Sequence, residues 1–203
     1  MYNLAVFVSG RGSNLKALFK EISNSEIRVV SVVTNMPDCA AVTFAQDNDI
    51  PVYFISNQTK DGFVNFDELA GILKDHKVNL VVLAGFLKKI AESFVDAFPD
   101  KIINIHPALL PSFGGKGMYG INVHKAVFEK SVQVSGATVH FVDKVYDNGK
   151  IIAQRTVDIY DVESPEEIAE RVLKIEHELL PFVVKKMAEE KIIIKNNRVY
   201  ILN

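Results

Sequence analysis

Short, almost unbroken apolar runs recur along the chain at Leu4 to Val8, Arg28 to Val33, Val52 to Ile55, Leu80 to Leu83 and Ile102 to His106. Strands covered on both faces read this way, because neither side needs a polar stripe, and such strands belong to parallel sheets. Between the runs the period changes. Leu15, Leu18, Phe19 and Ile22 follow the i, i+3, i+4, i+7 spacing of an amphipathic helix, and Phe66, Leu69 and Leu73, then Phe94 and Phe98, continue it. Repeated β-α units follow, predicting an α/β fold with an open, mostly parallel twisted sheet and helices on both faces.

After His106 the pattern breaks into a Pro- and Gly-rich stretch, Pro107 through Gly120, too long for an ordinary connection and therefore expected to be functional. A short helix, Asn122 to Lys130, leads to strands Ala137 to Val142 and Ile151 to Val157. These are joined through the turn signal Asp147-Asn148-Gly149, so antiparallel additions are expected in the C-terminal half. Ser164-Pro165-Glu166-Glu167 has the N-cap serine, first-turn proline and following glutamate of a capping box. Ile168, Val172, Ile175 and Leu179 give that helix its apolar stripe, and Pro181 is expected to kink or split it. A closing hairpin is expected around Asn196-Asn197. Neither an internal repeat nor a linker interrupts the pattern, which predicts a single domain over 1–203.

Composition narrows the classes. The 203 residues are 48% hydrophobic and 24% charged, ordinary for a folded domain. Lys and Arg number 23 against 25 Asp and Glu, spread along the chain, so no broad basic surface for nucleic acid is predicted. Cys39 is the only cysteine, which excludes an intrachain disulfide and a cysteine metal cluster; it is expected as a core thiol in a reducing cytoplasm. No apolar run approaches the ~20 residues of a membrane span, and no basic segment precedes the first strand, so neither membrane insertion nor export is expected.

Two segments carry candidate chemistry. Ser9-Gly10-Arg11-Gly12-Ser13-Asn14 joins the first strand to the first helix, where backbone N–H groups can receive an anion such as a phosphate monoester. Alternatively the glycines only permit a tight turn, and Ser13 or Asn14 only caps the helix. NAD is not expected, because the third glycine of its fingerprint is missing and the second strand ends in Thr34-Asn35 without a ribose-binding acid. At the other segment, Asn104-Ile105-His106-Pro107, strand alternation puts Asn104 and His106 on one face at a carboxyl end, where open parallel sheets place ligands. A hydrogen-bonded polar pair ending a strand is the plainer reading, and Asp147 by itself reads as a turn aspartate.

Taken together, Ser9 to Leu15, Leu83-Ala84-Gly85-Phe86, Asn104-Ile105-His106-Pro107-Ala108-Leu109-Leu110-Pro111, Lys116-Gly117-Met118-Tyr119-Gly120, His140-Phe141-Val142 and the region of Glu176-His177 resemble the phosphoribosylglycinamide formyltransferases. The resemblance runs in order along essentially the whole chain and implies a Rossmann-like formyltransferase fold. It further implies transfer of a formyl group from 10-formyltetrahydrofolate, a cosubstrate, to the amino group of phosphoribosylglycinamide in purine synthesis, without metal. On the same ground Asn104, His106 and Asp147 match the catalytic set, and Gly12, Ser13 and Asn14 match the segment for the ribose phosphate. Glu176 matches a ligand of the glycinamide end, and Leu87, Lys88, Lys89 and Ile90, with Asn104, match the folate contacts.

The residue types suit that reaction. Amine attack on a formyl carbon creates an oxyanion and an ammonium, so N–H donors must face the oxygen and a base must take a proton. Asn104 offers amide donors and His106, as imidazolium, a charged one, and a carboxylate at Asp147 favours that protonated form. His140 is expected beside this set or as a core histidine. The family's usual Met-Arg stands here as Leu87-Lys88, which loses a planar fork, and Gly114-Gly115 stands where Pro-Gly is common. A folate-dependent hydrolase releasing formate is the runner-up; it usually carries an additional N-terminal regulatory domain. Methionyl-tRNA formyltransferase would call for an extra C-terminal domain and a basic surface. A noncatalytic phosphoribosyl-binding module would need the glycine loop and not His106. Oligomeric state is not encoded in any of these features.

Overall fold

The computed structural model describes residues 1–56, 58 and 60–203. The chain divides into two compact units, Met1–Ile103 and Asn104–Asn203.

In the first unit β1 (Tyr2–Phe7), β2 (Ile27–Thr34), β3 (Val52–Phe54) and β4 (Leu80–Leu83) lie in the order β3-β2-β1-β4. β1 pairs in parallel with β2 and with β4, and β2 in parallel with β3. Helices α1 (Ser13–Ile22), α2 (Ala40–Asp47), α3 (Phe66–Asp75) and α4 (Glu92–Ala97) alternate with these strands. The continuous apolar runs have their expected cause: Leu4, Ala5, Val6 and Phe7 of β1 and Leu80, Val81 and Val82 of β4 are all fully buried. Phe94 packs its ring 5.6 Å from Phe7 and 5.5 Å from Phe66, so α4 and α3 close on one aromatic cluster. Each such fully buried large side chain contributes about 1.5–3 kcal/mol.

Three local expectations are corrected here. Cys39 is not a core thiol; it is half-buried at the N-cap of α2, a helix whose short apolar face escaped the periodicity reading. Neither Ser13 nor Asn14 caps α1 through its side chain. The N-cap is Gly12, at φ 70°, and a Cβ there would stand 2.9 Å from Ala41 Cβ, so conformation and packing both demand glycine. Of the kink or split expected at Pro181, in the second unit, the split does not occur: the residue lies inside one continuous helix.

That unit contains the remainder of β5 (Ile102–His106), then α5 (Ile121–Glu129), β6 (Val134–Phe141), β7 (Ile151–Asp158), α6 (Pro165–Ala188) and the hairpin β8 (Ile192–Lys195) with β9 (Arg198–Ile201). β6 lies between β5 and β7 and pairs antiparallel with β7. α6 begins as the capping box predicts: Ser164 Oγ accepts from the Glu167 N–H at 3.3 Å. Glu167 reaches back one residue further than expected, accepting from the Glu163 N–H at 3.2 Å. The helix then runs through Pro181 to Ala188, held by buried Ile168, Val172, Leu179, Leu180, Val183 and Val184. Packing of this stripe outweighs the one backbone hydrogen bond that proline removes.

Candidate active site

The end of β5 carries Asn104 and His106 with Ile105 between them; Asn104 is half-buried and His106 is 3% exposed. β6 supplies His140, also buried, and the connection 142–150 supplies Asp147, whose backbone takes the left-handed φ of 52°. Four side chains from three segments meet. Asn104 Nδ2 lies 3.1 Å from His140 Nε2. Asp147 spans the two rings, with Oδ1 3.7 Å from His140 Nε2 and Oδ2 3.7 Å from His106 Nδ1. At that distance the carboxylate acts by charge rather than by a tight hydrogen bond.

Backbone carbonyls set the tautomers. His106 Nε2 lies 2.9 Å from Phe113 O, and because a carbonyl only accepts, that nitrogen carries the hydrogen. A neutral His106 therefore turns its Nδ1 lone pair toward Asp147. His140 Nδ1 likewise donates to Phe141 O at 2.7 Å, leaving Nε2 as the acceptor of an Asn104 amide hydrogen. Asn104 keeps its second amide hydrogen for another acceptor.

The loop after β5 fastens both sides of the pair. Phe113 O holds His106, and two residues on, the Gly115 N–H donates to Asp147 Oδ2 at 2.8 Å. Gly114 lies between them, where a Cβ would come 2.5 Å from Leu110 Cδ2, the end of a flexible side chain, and 3.2 Å from Asp147 Cβ. The start of the loop is clamped to β6 and β7. Thr138 Oγ1 donates to Ala108 O at 2.6 Å and accepts from the Leu110 N–H at 3.0 Å, while Gln154 Nε2 donates to Leu110 O at 2.8 Å.

Burial is the largest influence on His106 and pushes its pKa below the ordinary 6.5; Asp147 and Phe113 O pull upward and His140 downward. Burial therefore works against the protonated form that the carboxylate favours. Burial would raise the Asp147 carboxyl, but His140, the Gly115 N–H and His106 together outweigh it and hold Asp147 below the usual carboxylate value. Asp147 Oδ2 thus faces His106 Nδ1, while Nε2 is engaged with Phe113 O.

The remaining expected residues lie on other elements. Gly12, Ser13 and Asn14 form the start of α1 in the first unit, with Gly12 and Asn14 buried and Ser13 half-buried. Leu87, Lys88, Lys89 and Ile90 follow β4 in the same unit; Leu87 and Lys89 are exposed, Lys88 is half-buried, and Ile90 is 7% exposed. Glu176 is 8% exposed on α6. Among the described residues no group of His, Cys, Asp and Glu is arranged to hold a metal. Also among the described residues, no helix is long and apolar enough to cross a membrane.

Sequence reasoning did not find Phe113 and Gly115, which act through backbone atoms and have no side-chain signature. His124 was also missed: it is 5% exposed on α5, and burial, then His106, pushes it down to about 4. A histidine between Val123 and Lys125 on a helix is an ambiguous signal, since its face is decided only by packing. For His140 there was a usable sign, a polar residue within a strand whose last seven positions are all buried.

The end of β5 thus brings together an amide, two imidazoles and a carboxylate, groups able to bind an oxyanion and to move a proton. The chain belongs to the formyl transferase family, whose model matches residues 2–184. It is similar to a chloroplastic phosphoribosylglycinamide formyltransferase of Arabidopsis thaliana, 47% identical over 194 residues, covering 93% of this chain and 66% of the relative. It is also similar to the phosphoribosylglycinamide formyltransferase of Bacillus subtilis, 34% identical, covering 92% of this chain and 95% of the relative. This chain thus spans just under two thirds of the plant relatives' length and nearly all of the bacterial one. Among solved structures, phosphoribosylglycinamide formyltransferase from Anaplasma phagocytophilum superposes with TM-score 0.89 at 34% identity, covering 99% of this chain and 93% of that one. A formyltetrahydrofolate deformylase from Pseudomonas syringae shares the fold at TM-score 0.86 but only 22% identity, covering all of this chain and 66% of that one.

Proposed function

We infer that the chain transfers the formyl group of 10-formyltetrahydrofolate to the amino group of phosphoribosylglycinamide, giving N-formylglycinamide ribonucleotide and tetrahydrofolate. Family membership and the names of relatives over 30% identical support the reaction. The observation that carries the chemistry is the cluster at the end of β5, in which Asn104 has a second amide hydrogen to offer and His106 Nδ1 faces Asp147 Oδ2.

The substrate amine attacks the formyl carbon, the carbon–oxygen double bond opens, and the oxygen becomes an oxyanion that accepts from Asn104 Nδ2–H. Such a donor contributes roughly 10²–10³ in rate. The new ammonium gives up a proton, directly or through water, to His106 Nδ1, and the resulting imidazolium is stabilised by Asp147 at 3.7 Å. Collapse of the adduct breaks the bond to the folate nitrogen, which leaves with a proton returned by His106. The Nε2–H of His106 is engaged with Phe113 O, so a substrate oxygen reaches that donor only by displacing the carbonyl.

Gly12 with the helix-start N–H groups of Ser13 and Asn14 is assigned to the ribose phosphate, Glu176 to the glycinamide end, and Leu87 to Ile90 to the folate. The folate is a cosubstrate and no metal enters the scheme. We read 1–203 as one formyltransferase domain, supported by a family match that spans both compact units. The proposed setting is a reducing compartment, the cytoplasm in the simplest case. The one cysteine, uncommitted to a disulfide, supports it, while the plant relatives are named chloroplastic.

Mixing the protein with 10-formyltetrahydrofolate and phosphoribosylglycinamide tests the reading. Stoichiometric tetrahydrofolate and formylated ribonucleotide are expected, and formate without formylated ribonucleotide refutes it in favour of hydrolysis.

A further inference from the structure

Ser9 is 8% exposed and stands at the end of β1, in the middle of the parallel strands β2-β1-β4. Its hydroxyl donates to Asn35 Oδ1 at 2.6 Å, just beyond β2, and accepts from the Leu87 N–H at 3.0 Å, beyond β4. Its own N–H donates to Gly85 O at 3.0 Å. One side chain therefore joins the segments that follow three neighbouring strands, and both capacities of its hydroxyl are used.

We propose that Ser9 is a positioning residue that sets the glycine loop Gly10–Asn14 and the segment Leu87–Ile90 in a common register, so that the phosphate-bearing substrate and the formyl donor are oriented together. The proposal rests on the assignment of those two segments given above. In this proposal Ser9 acts through the two segments it joins. It immediately precedes the loop, whose further end is pinned where Gly12 abuts Ala41 and the Ala41 N–H donates to Gly10 O at 3.3 Å. On the other side Leu87 is the first residue of the folate segment, and the Ser9 hydroxyl is the acceptor that orients its N–H. Asn35 orients that hydroxyl: by taking the Ser9 hydrogen, it leaves an oxygen lone pair for Leu87. Loss of the Asn35 acceptor lets the hydroxyl rotate, so a change beyond β2 is felt beyond β4.

Asn35→Ala, Asn35→Asp, Ser9→Ala and the double variant Ser9→Ala/Asn35→Ala test this in the full chain. Two readouts are taken: KM and kcat for each substrate, and the exchange rate of the Leu87 amide hydrogen. Asn35→Ala is expected to raise KM for both substrates roughly three- to tenfold with kcat nearly unchanged, and to speed Leu87 exchange by a similar factor. Asn35→Asp, which keeps an oxygen acceptor, is expected to restore both. The double variant is expected to be no worse than Ser9→Ala alone, because the two residues act through one hydroxyl. A KM change confined to one substrate, additive effects, or unaltered Leu87 exchange in Asn35→Ala would overturn the proposal. The reading of function fails separately: wild-type protein that transfers no formyl group refutes it, and Leu87 exchange still reports whether Asn35 and Ser9 act as a unit.

Discussion

His124 provides a quantitative test of the burial that shapes the site. Its ring is 5% exposed on α5, and Nδ1 has no hydrogen-bond partner. Burial, with a smaller push from His106, lowers its pKa from 6.5 to about 4. Below the unfolded value the denatured chain binds a proton that the folded chain refuses. Stability from this group is therefore complete above about pH 6.5, lost as pH falls, and levels off below the folded value of about 4. Integrating between about pH 7.5 and about pH 4.5 gives about 2.5 kcal/mol, or roughly 2 kcal/mol after screening by penetrating solvent. His106 and His177 are shifted the same way, mainly by burial, and add to the slope. The informative quantity is consequently the difference between wild type and His124→Gln in urea unfolding at the two pH values. Wild type is expected to lose roughly 1 M more in midpoint than the variant on acidification. Parallel midpoints would mean that His124 takes its proton in the folded state, and the argument from burial would fail.

Asp147→Asn removes the carboxylate that pulls His106 upward, so the His106 pKa should fall further, turnover should drop roughly 10²-fold or more, and the acid limb of the pH–rate profile should move to lower pH. Titration of the His106 ring by NMR and the rate profile check this together, and an unmoved profile counts against the pair. Gly114→Ala forces a Cβ against Leu110 Cδ2 and Asp147 Cβ, with an expected cost of about 1–3 kcal/mol in unfolding free energy and a fall in kcat larger than any rise in KM. Ser164→Ala deletes the cap of α6 and should cost about 1 kcal/mol while leaving turnover unchanged; an equal loss of activity would show that α6 is coupled to the chemistry.

The parallel strands were legible because burial on both faces leaves a single mark, the unbroken apolar run, and β1 and β4 are buried as those runs require. α2 was not legible. Its eight residues bury only Ala41, Val42 and Ala45, small side chains that make a faint stripe. At Pro181 local propensity leaves a split open, whereas the buried residues on either side of it hold α6 in one piece. At the site, strand alternation placed Asn104 and His106 together, and resemblance supplied Asp147. The burial that opposes the pull of Asp147 on His106 was not legible, because burial is a property of the packed chain.

The stretch Pro107 to Gly120, expected to be functional from its length, shows in its Phe113-Gly114-Gly115 segment why the site can rest in an unreacted state. Phe113 O consumes one hydrogen of His106, and the Gly115 N–H consumes one lone pair of Asp147. What remains between them is His106 Nδ1 opposite a carboxylate, whose pull toward the imidazolium works against burial. In the proposed reaction that proton is created only when the amine has attacked. The charge of Asp147 then acts on the imidazolium that forms with the adduct and not on the resting ring, so the attraction is stronger where the reaction needs it.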